Sequence, residues 1–135
     1  MTHSHARVLL IEDNLFQVRV IDGLLKALGG SDFSLECADT LKSGLQLLAR
    51  GGIDVVLLDL MLPDGEGLET FLRVRQVASD LPIVILSGLD DRALALTAVQ
   101  EGAEDFLVKG QVEGENLGEK RCQEPFKEGS WGNGP

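Results

Sequence analysis

Glu12, Asp13, Asp59, Ser87 and Lys109 are the residues of this sequence that could do chemistry together. Each follows a short apolar run. Val8–Ile11 leads into Glu12-Asp13, and the near-continuous run Ile53–Leu58 leads into Asp59. Ile83–Leu86 leads into Ser87, and Phe106–Val108 into Lys109. Carboxylates brought together in a partly buried cleft repel one another unless a cation relieves them. Oxygen-only ligands favour a hard ion, and few carboxylates with room for water and phosphate suit Mg²⁺. Lys109 adds a fixed positive charge and Ser87 a hydroxyl donor. This set suits a tetrahedral anion beside a metal, with Asp59 free to act as nucleophile. A carboxylate that attacks phosphorus gives an acyl phosphate.

These groups meet only if the apolar runs are neighbouring strands. A run rich in β-branched residues and bounded by Gly or Pro predicts a strand buried on both faces, as in a parallel sheet. In such sheets, ligands bind just beyond the carboxyl ends of the strands. Helical stretches separate the runs. Phe16, Val20, Leu24 and Leu28, with Ile21 and Leu25 beside them, predict one apolar face; Asn14 is placed to cap this helix and Gly29-Gly30 to stop it. Phe33, Leu35 and Cys37 alternate with Ser34, Glu36 and Ala38, which predicts a less covered edge strand. Asp39-Thr40 caps a second helix on which Leu41, Leu45 and Leu48 share a face, and Gly51-Gly52 ends it. Leu68, Phe71, Leu72 and Arg75 mark a third helix. Asp64 and Glu66 read as turn and helix-start residues. Asp90 or Asp91 is placed to cap a fourth helix, which Gly102 ends. Strands alternating with helices predict an α/β sheet of right-handed βαβ units.

Composition narrows the classes. At 135 residues and 44% hydrophobic, the chain is one domain with a real core. Its net charge of −10 argues against a nucleic-acid surface or an anionic membrane. No apolar run approaches the ~18 residues that span a bilayer. Cys37 and Cys122 lie far apart, which predicts two reduced thiols in a cytoplasmic protein. His3 and His5 sit in a polar lead and read as solvated. From Gly110 onward there are six glycines in 26 residues, and Val112, Leu117 and Cys122 have no helical spacing. Phe126–Pro135 has the composition of a loop or a disordered end. The expected organisation is a lead over 1–6, a domain over 7–110 and an atypical Gly-rich tail over 111–135.

Four motifs carry a family resemblance. Val-Leu-Leu-Ile-Glu-Asp-Asn spans 8–14, and Val-Val-Leu-Leu-Asp-Leu-Met-Leu-Pro-Asp-Gly-Glu-Gly-Leu-Glu spans 55–69. Pro-Ile-Val-Ile-Leu-Ser-Gly spans 82–88, and Gly-Ala-Glu-Asp-Phe-Leu-Val-Lys spans 102–109. In this order and spacing the chain resembles a CheY-like receiver domain of two-component response regulators over about Arg7–Gly110. The resemblance implies a flavodoxin-like, doubly wound, five-stranded parallel sheet of order 2-1-3-4-5. It implies Asp59 as phosphoacceptor, and Mg²⁺ held by Glu12, Asp13, Asp59 and the backbone carbonyl of Met61. Ser87 would hydrogen-bond the phosphoryl group and Lys109 would pair with it. Phe106 matches an aromatic switch position that follows Ser87. The donor would be a phosphohistidine on a histidine kinase or histidine phosphotransfer protein, and the output a downstream protein partner. Such a domain is a regulator rather than an enzyme.

The residues also depart from the pattern. Lys109 is followed by Gly110 where the family usually has Pro. The family's fifth helix is weak or absent in this sequence, which predicts a bare apolar patch covered by the tail or by a homodimer. Lys109 could also pair with Asp13 structurally, a role compatible with pairing to phosphate. Met61 and Leu89 are apolar where some relatives have polar side chains that position the attacking water, which predicts slow autodephosphorylation. One alternative is a non-phosphorylated pseudo-receiver that only binds partners. The other is a haloacid-dehalogenase-like phosphotransferase, which wants an Asp where Met61 stands.

Overall fold

The computed structural model describes residues 5–29 and 32–109. In chain order these form β1 (Ala6–Ile11), α1 (Leu15–Gly29), β2 (Phe33–Ala38), α2 (Leu41–Arg50) and β3 (Val55–Asp59). A short hairpin follows, β4 (Met61–Leu62) and β5 (Gly65–Glu66). Then come α3 (Leu68–Val77), β6 (Ile83–Ser87), α4 (Arg92–Gln100) and β7 (Asp105–Val108).

The main sheet is parallel with order β2-β1-β3-β6-β7. With the separate β4-β5 hairpin set aside, this is the expected order 2-1-3-4-5. The near-continuous apolar strands β1, β3 and β6 take the centre, because only they can tolerate cover on both faces. The alternating strand β2 takes an edge, as its pattern predicts. The register aligns Ile11 with Leu58 and Asp59 with Leu86, so the carboxyl ends of the central strands finish level. That register carries the polar residues beyond each strand to one side of the sheet.

Two apolar layers sandwich the sheet. On one face Leu9, Ile11, Val56, Leu58, Ile83 and Ile85 pack against α2, α3 and α4 through Leu41, Leu48, Phe71, Val74, Ala95 and Ala98. On the other face Val8, Leu10, Leu57 and Leu86 pack against Val18 and Ile21 of α1. Burying each large aliphatic side chain contributes about 1.5–3 kcal/mol, so these layers carry the fold.

The helix faces differ from expectation in two places. On α1 the buried apolar residues are Val18 and Ile21, with Leu25 half-buried, while Leu24 is exposed. A repeat of four drifts around a helix of 3.6 residues per turn, so the Phe16–Leu24 stripe leaves the sheet as the helix advances. On α3, Phe71 is buried with Thr70 and Val74, and Leu72 is exposed. Arg75 is held by polar contacts rather than apolar ones. Its guanidinium lies 5.5 Å from the Phe71 ring centroid. It donates to the carbonyls of Ala78, Ser79, Leu81 and Gly102 at 2.7–3.3 Å, tying the end of α3 to the α4–β7 turn.

The caps are local and mostly as read. Asn14 Oδ1 accepts from the Phe16 and Gln17 amides at the start of α1. Thr40 caps α2, and with Ser43 forms a capping box. Gly51 and Gly102 hold positive φ where α2 and α4 end. Asp91 stands at the N-cap of α4, but its side chain makes no capping bond; a 3₁₀ turn over Leu89–Asp91 leads into the helix instead. The expected tail over 111–135 and the missing fifth helix lie outside the described residues. Among the described residues no helix is long and apolar enough to cross a membrane.

Candidate functional site

The carboxyl ends of β1, β3, β6 and β7 bring the expected residues to one cleft. Glu12, just beyond β1, is 1% exposed; Asp59, the last residue of β3, is 2% exposed. Asp13 is exposed at the rim. One carboxylate oxygen from each of Glu12, Asp13 and Asp59 lies within 4.8 Å of the others. Ser87 ends β6 and is buried, and Lys109 follows β7 directly.

Lys109 is the hub. Its Nζ lies 3.3 Å from Glu12 Oε1 and 3.3 Å from Asp59 Oδ2. The ion pairs are therefore with Glu12 and Asp59, and the alternative pairing with Asp13 is not the one the fold adopts. The Lys109 amide donates to the Ser87 carbonyl at 2.7 Å, so the lysine backbone is fixed to the end of β6. Ser87 Oγ donates to the Gly88 carbonyl at 2.8 Å.

Backbone amides hold the carboxylates. Met61 N–H donates to Asp59 Oδ1 at 3.1 Å, and Asn14 N–H donates to Glu12 Oε2 at 3.2 Å. Glu12 Oε1 is buried and receives no hydrogen bond. Burial first and the Asp59 charge second raise the Glu12 carboxyl to about 8, against the pull of Lys109 and the Asn14 amide. Burial also raises Asp59, opposed by Lys109 and the Met61 amide. Burial works against the Lys109 ammonium, but Glu12 and Asp59 outweigh it and hold its pKa above the ordinary lysine value. One ammonium thus sits among more acid than it can neutralise.

A family model for the response regulator receiver domain matches residues 8–119. The chain belongs to this family. The receiver domain runs through every strand end that carries the site. Relatives agree. The swarming motility regulation protein RssB of Serratia marcescens is 35% identical over 102 residues, covering 76% of this chain and 45% of that protein. The transcriptional regulatory protein GlrR of Escherichia coli K12 is 31% identical over 113 residues, covering 81% of this chain and 24% of that one. The chain therefore spans less than half the length of these curated relatives. Among solved structures, the N-terminal signal receiver domain of a Bacteroides fragilis response regulator superposes with a TM-score of 0.68 at 29% identity, covering 84% of this chain and 92% of that one. The receiver domain of a sensor histidine kinase from Pseudomonas aeruginosa PAO1 superposes with a TM-score of 0.65 at 25% identity, covering 84% and 93%. That structure has a magnesium ion coordinated in its active site cleft.

Receiver domains are the phosphoacceptor modules of two-component signalling, and this chain is one of them. They act as regulators with histidine kinases or phosphotransfer proteins and with downstream effectors. The dehalogenase-like alternative falls with this membership.

Sequence reasoning missed one polar contact near the site. Asp64, at the tip of the β4-β5 hairpin, accepts from the Leu41 amide at 2.6 Å and the Lys42 amide at 2.9 Å. These amides hold its carboxyl below the ordinary range. The expected turn is present, but the carboxylate caps α2 rather than starting α3. No local pattern signals this, because the partners are 23 and 22 residues away.

Proposed function

We propose that Asp59 is the phosphoacceptor of this receiver domain, with a phosphohistidine on a histidine kinase or histidine phosphotransfer protein as donor. An Asp59 carboxylate oxygen forms a bond to phosphorus as the phosphorus–nitrogen bond breaks. The electron pair of that bond stays on the departing imidazole nitrogen. The product is an aspartyl phosphate. The observation that carries this reading is the position of Lys109 Nζ, 3.3 Å from Asp59 Oδ2 at the mouth of the carboxylate cluster. There it can pair with phosphoryl oxygens as charge moves onto them.

With all three carboxylates deprotonated, as metal ligands must be, one ammonium leaves two negative charges, which a divalent ion balances. Glu12 Oε1, buried and without a hydrogen bond although ion-paired to Lys109, and the all-oxygen donor set fit Mg²⁺. Glu12, Asp13 and Asp59, with the Met61 carbonyl, would hold it. When bound it would neutralise charge on the transferring phosphoryl. Ser87 Oγ exchanges the Gly88 carbonyl for a phosphoryl oxygen. Phe106 packs on the α4-side core and pairs in register with Ile85, two residues before Ser87, so it can follow that movement. It has no hydroxyl, so the switch rests on packing alone. The altered surface then meets a downstream protein.

The test is incubation with Mg²⁺ and acetyl phosphate, read by intact mass. A base-labile adduct in the wild type and none in Asp59→Asn is expected. Absence of an adduct with every donor would instead support the pseudo-receiver reading.

A further inference from the structure

The cleft is encircled by a closed circuit of contacts, and Asp64 makes the one link in it that no strand end provides. The circuit starts at Glu12, whose amide donates to the Ala38 carbonyl at 2.9 Å, fixing the end of β2 beside the site. The chain runs from Ala38 into the first turn of α2. There the Leu41 and Lys42 amides donate to Asp64 at 2.6 and 2.9 Å. Asp64 sits at the tip of the β4-β5 hairpin, where Met61 pairs with Glu66 and Leu62 with Gly65. The hairpin returns to the site through the Met61 amide on Asp59 Oδ1. Lys109 closes the circuit from Asp59 back to Glu12.

The hairpin has little else to aim it. Its strands are two residues each. An isolated hairpin of that size is not stable in water. At its base the Gly67 amide donates to the Leu60 carbonyl at 2.8 Å, and Leu62 is buried in the core. At its tip Gly65 lies so near α2 that an added Cβ would stand 2.8 Å from Leu41 Cδ2. The tip is therefore pressed onto α2, and Asp64 is the group that hydrogen-bonds across the junction. The capping needs of α2 do not by themselves require Asp64, since Thr40 already accepts from the Ser43 amide. Asp64 takes the two preceding amides, which have no intrahelical partner.

We propose that Asp64 is a positioning residue for the phosphoacceptor site, clamping the hairpin to α2 so that the Met61 backbone stays against Asp59. The consequence for Mg²⁺ rests on the reading of the site given above. Partners that orient metal ligands typically change metal affinity about 10–100-fold when removed. The clamp itself is a property of the unphosphorylated chain.

Asp64→Ala is compared with Thr40→Ala, which weakens the start of α2 without touching the hairpin, and with Asp64→Asn, which keeps one acceptor oxygen. Amide exchange is read in the unmodified chain, and adduct formation is titrated with Mg²⁺ at fixed acetyl phosphate. Asp64→Ala is expected to speed exchange at Met61 as well as at Leu41 and Lys42. It should raise the Mg²⁺ needed for half-maximal adduct about tenfold and leave the rate at saturating Mg²⁺ within about twofold. Asp64→Asn should recover part of the Mg²⁺ dependence, and Thr40→Ala should change neither Met61 exchange nor the Mg²⁺ midpoint. The proposal is overturned if Met61 exchange is unmoved in Asp64→Ala, or if Thr40→Ala shifts the Mg²⁺ midpoint as far. Should the wild type form no adduct, the phosphoacceptor reading fails, and Met61 exchange still decides the clamp.

Discussion

Lys109 and Glu12 form a buried ion pair, Nζ to Oε1 at 3.3 Å, that Asp59 shares at the same distance. This relationship sets the electrostatics of the domain. Glu12 is almost wholly desolvated, and a desolvated charge is costly unless paired. A single ammonium serves two carboxylates, which leaves the site stable enough to fold and still short of positive charge.

Replacing Lys109 with Met should therefore harm stability and chemistry together. Breaking a buried pair by removing one partner costs about 3–5 kcal/mol where the acid left behind is ionised, and less below the Glu12 value of about 8. The loss should be largest without metal, and Mg²⁺ should recover part of it by supplying positive charge. Urea denaturation with and without Mg²⁺ measures both effects. An unchanged midpoint in metal-free buffer would show that the pair contributes nothing.

Stability should depend on pH in a definite direction. The Glu12 carboxyl stands at about 8 in the folded chain against an ordinary 4.5, so the folded state holds the extra proton between those values. Stability from this group is complete below the unfolded value and is lost as pH rises through the folded one. The Asp59 shift has the same sign. In EDTA the chain should become less stable between about pH 5 and pH 8. Mg²⁺ requires deprotonated ligands, so it should flatten or reverse that slope. Thermal melts across this range decide it; a metal-free chain that gains stability toward pH 8 contradicts the assignment.

The aspartyl phosphate should be long-lived. Met61, which follows Asp59 by two residues, is exposed, and its thioether offers a nearby water only a weak acceptor. Decay of the adduct after removal of acetyl phosphate, followed by intact mass, measures the lifetime. A half-life of seconds would contradict the expectation.

Thr70 offers a test of packing beside the hairpin. Its side chain is buried and its Oγ1 has no hydrogen-bond partner. Replacing an unsatisfied hydroxyl by a methyl of the same shape removes a desolvation cost of about 1–3 kcal/mol. Thr70→Val should be neutral or stabilising, read as the urea midpoint. A clear loss would mean that the hydroxyl is satisfied.

Much of the site was legible because strand ends are written locally. An apolar run names its own strand, and the next polar residue must stand at its carboxyl end. Glu12, Asp13, Asp59, Ser87 and Lys109 all followed from that rule. The α1 stripe was read imperfectly, because Phe16, Val20 and Leu24 are as apolar as Val18, Ile21 and Leu25. Only the sheet decides which stripe is covered. Arg75 was read as part of a helix face, since nothing local says that four carbonyls will converge on it.

The sequence by itself determined the strands, the caps at Asn14 and Thr40, and the polar residues at the strand ends, while the strand order came only with the family resemblance. It could do so because hydrophobic period and backbone capping act over a few residues. The tertiary structure alone decided that Lys109 sits between Glu12 and Asp59 rather than on Asp13, and that Asp64 closes onto α2. Those are contacts across tens of residues, set by sheet register and hairpin direction. Their energies depend on burial, which exists only once the chain has folded.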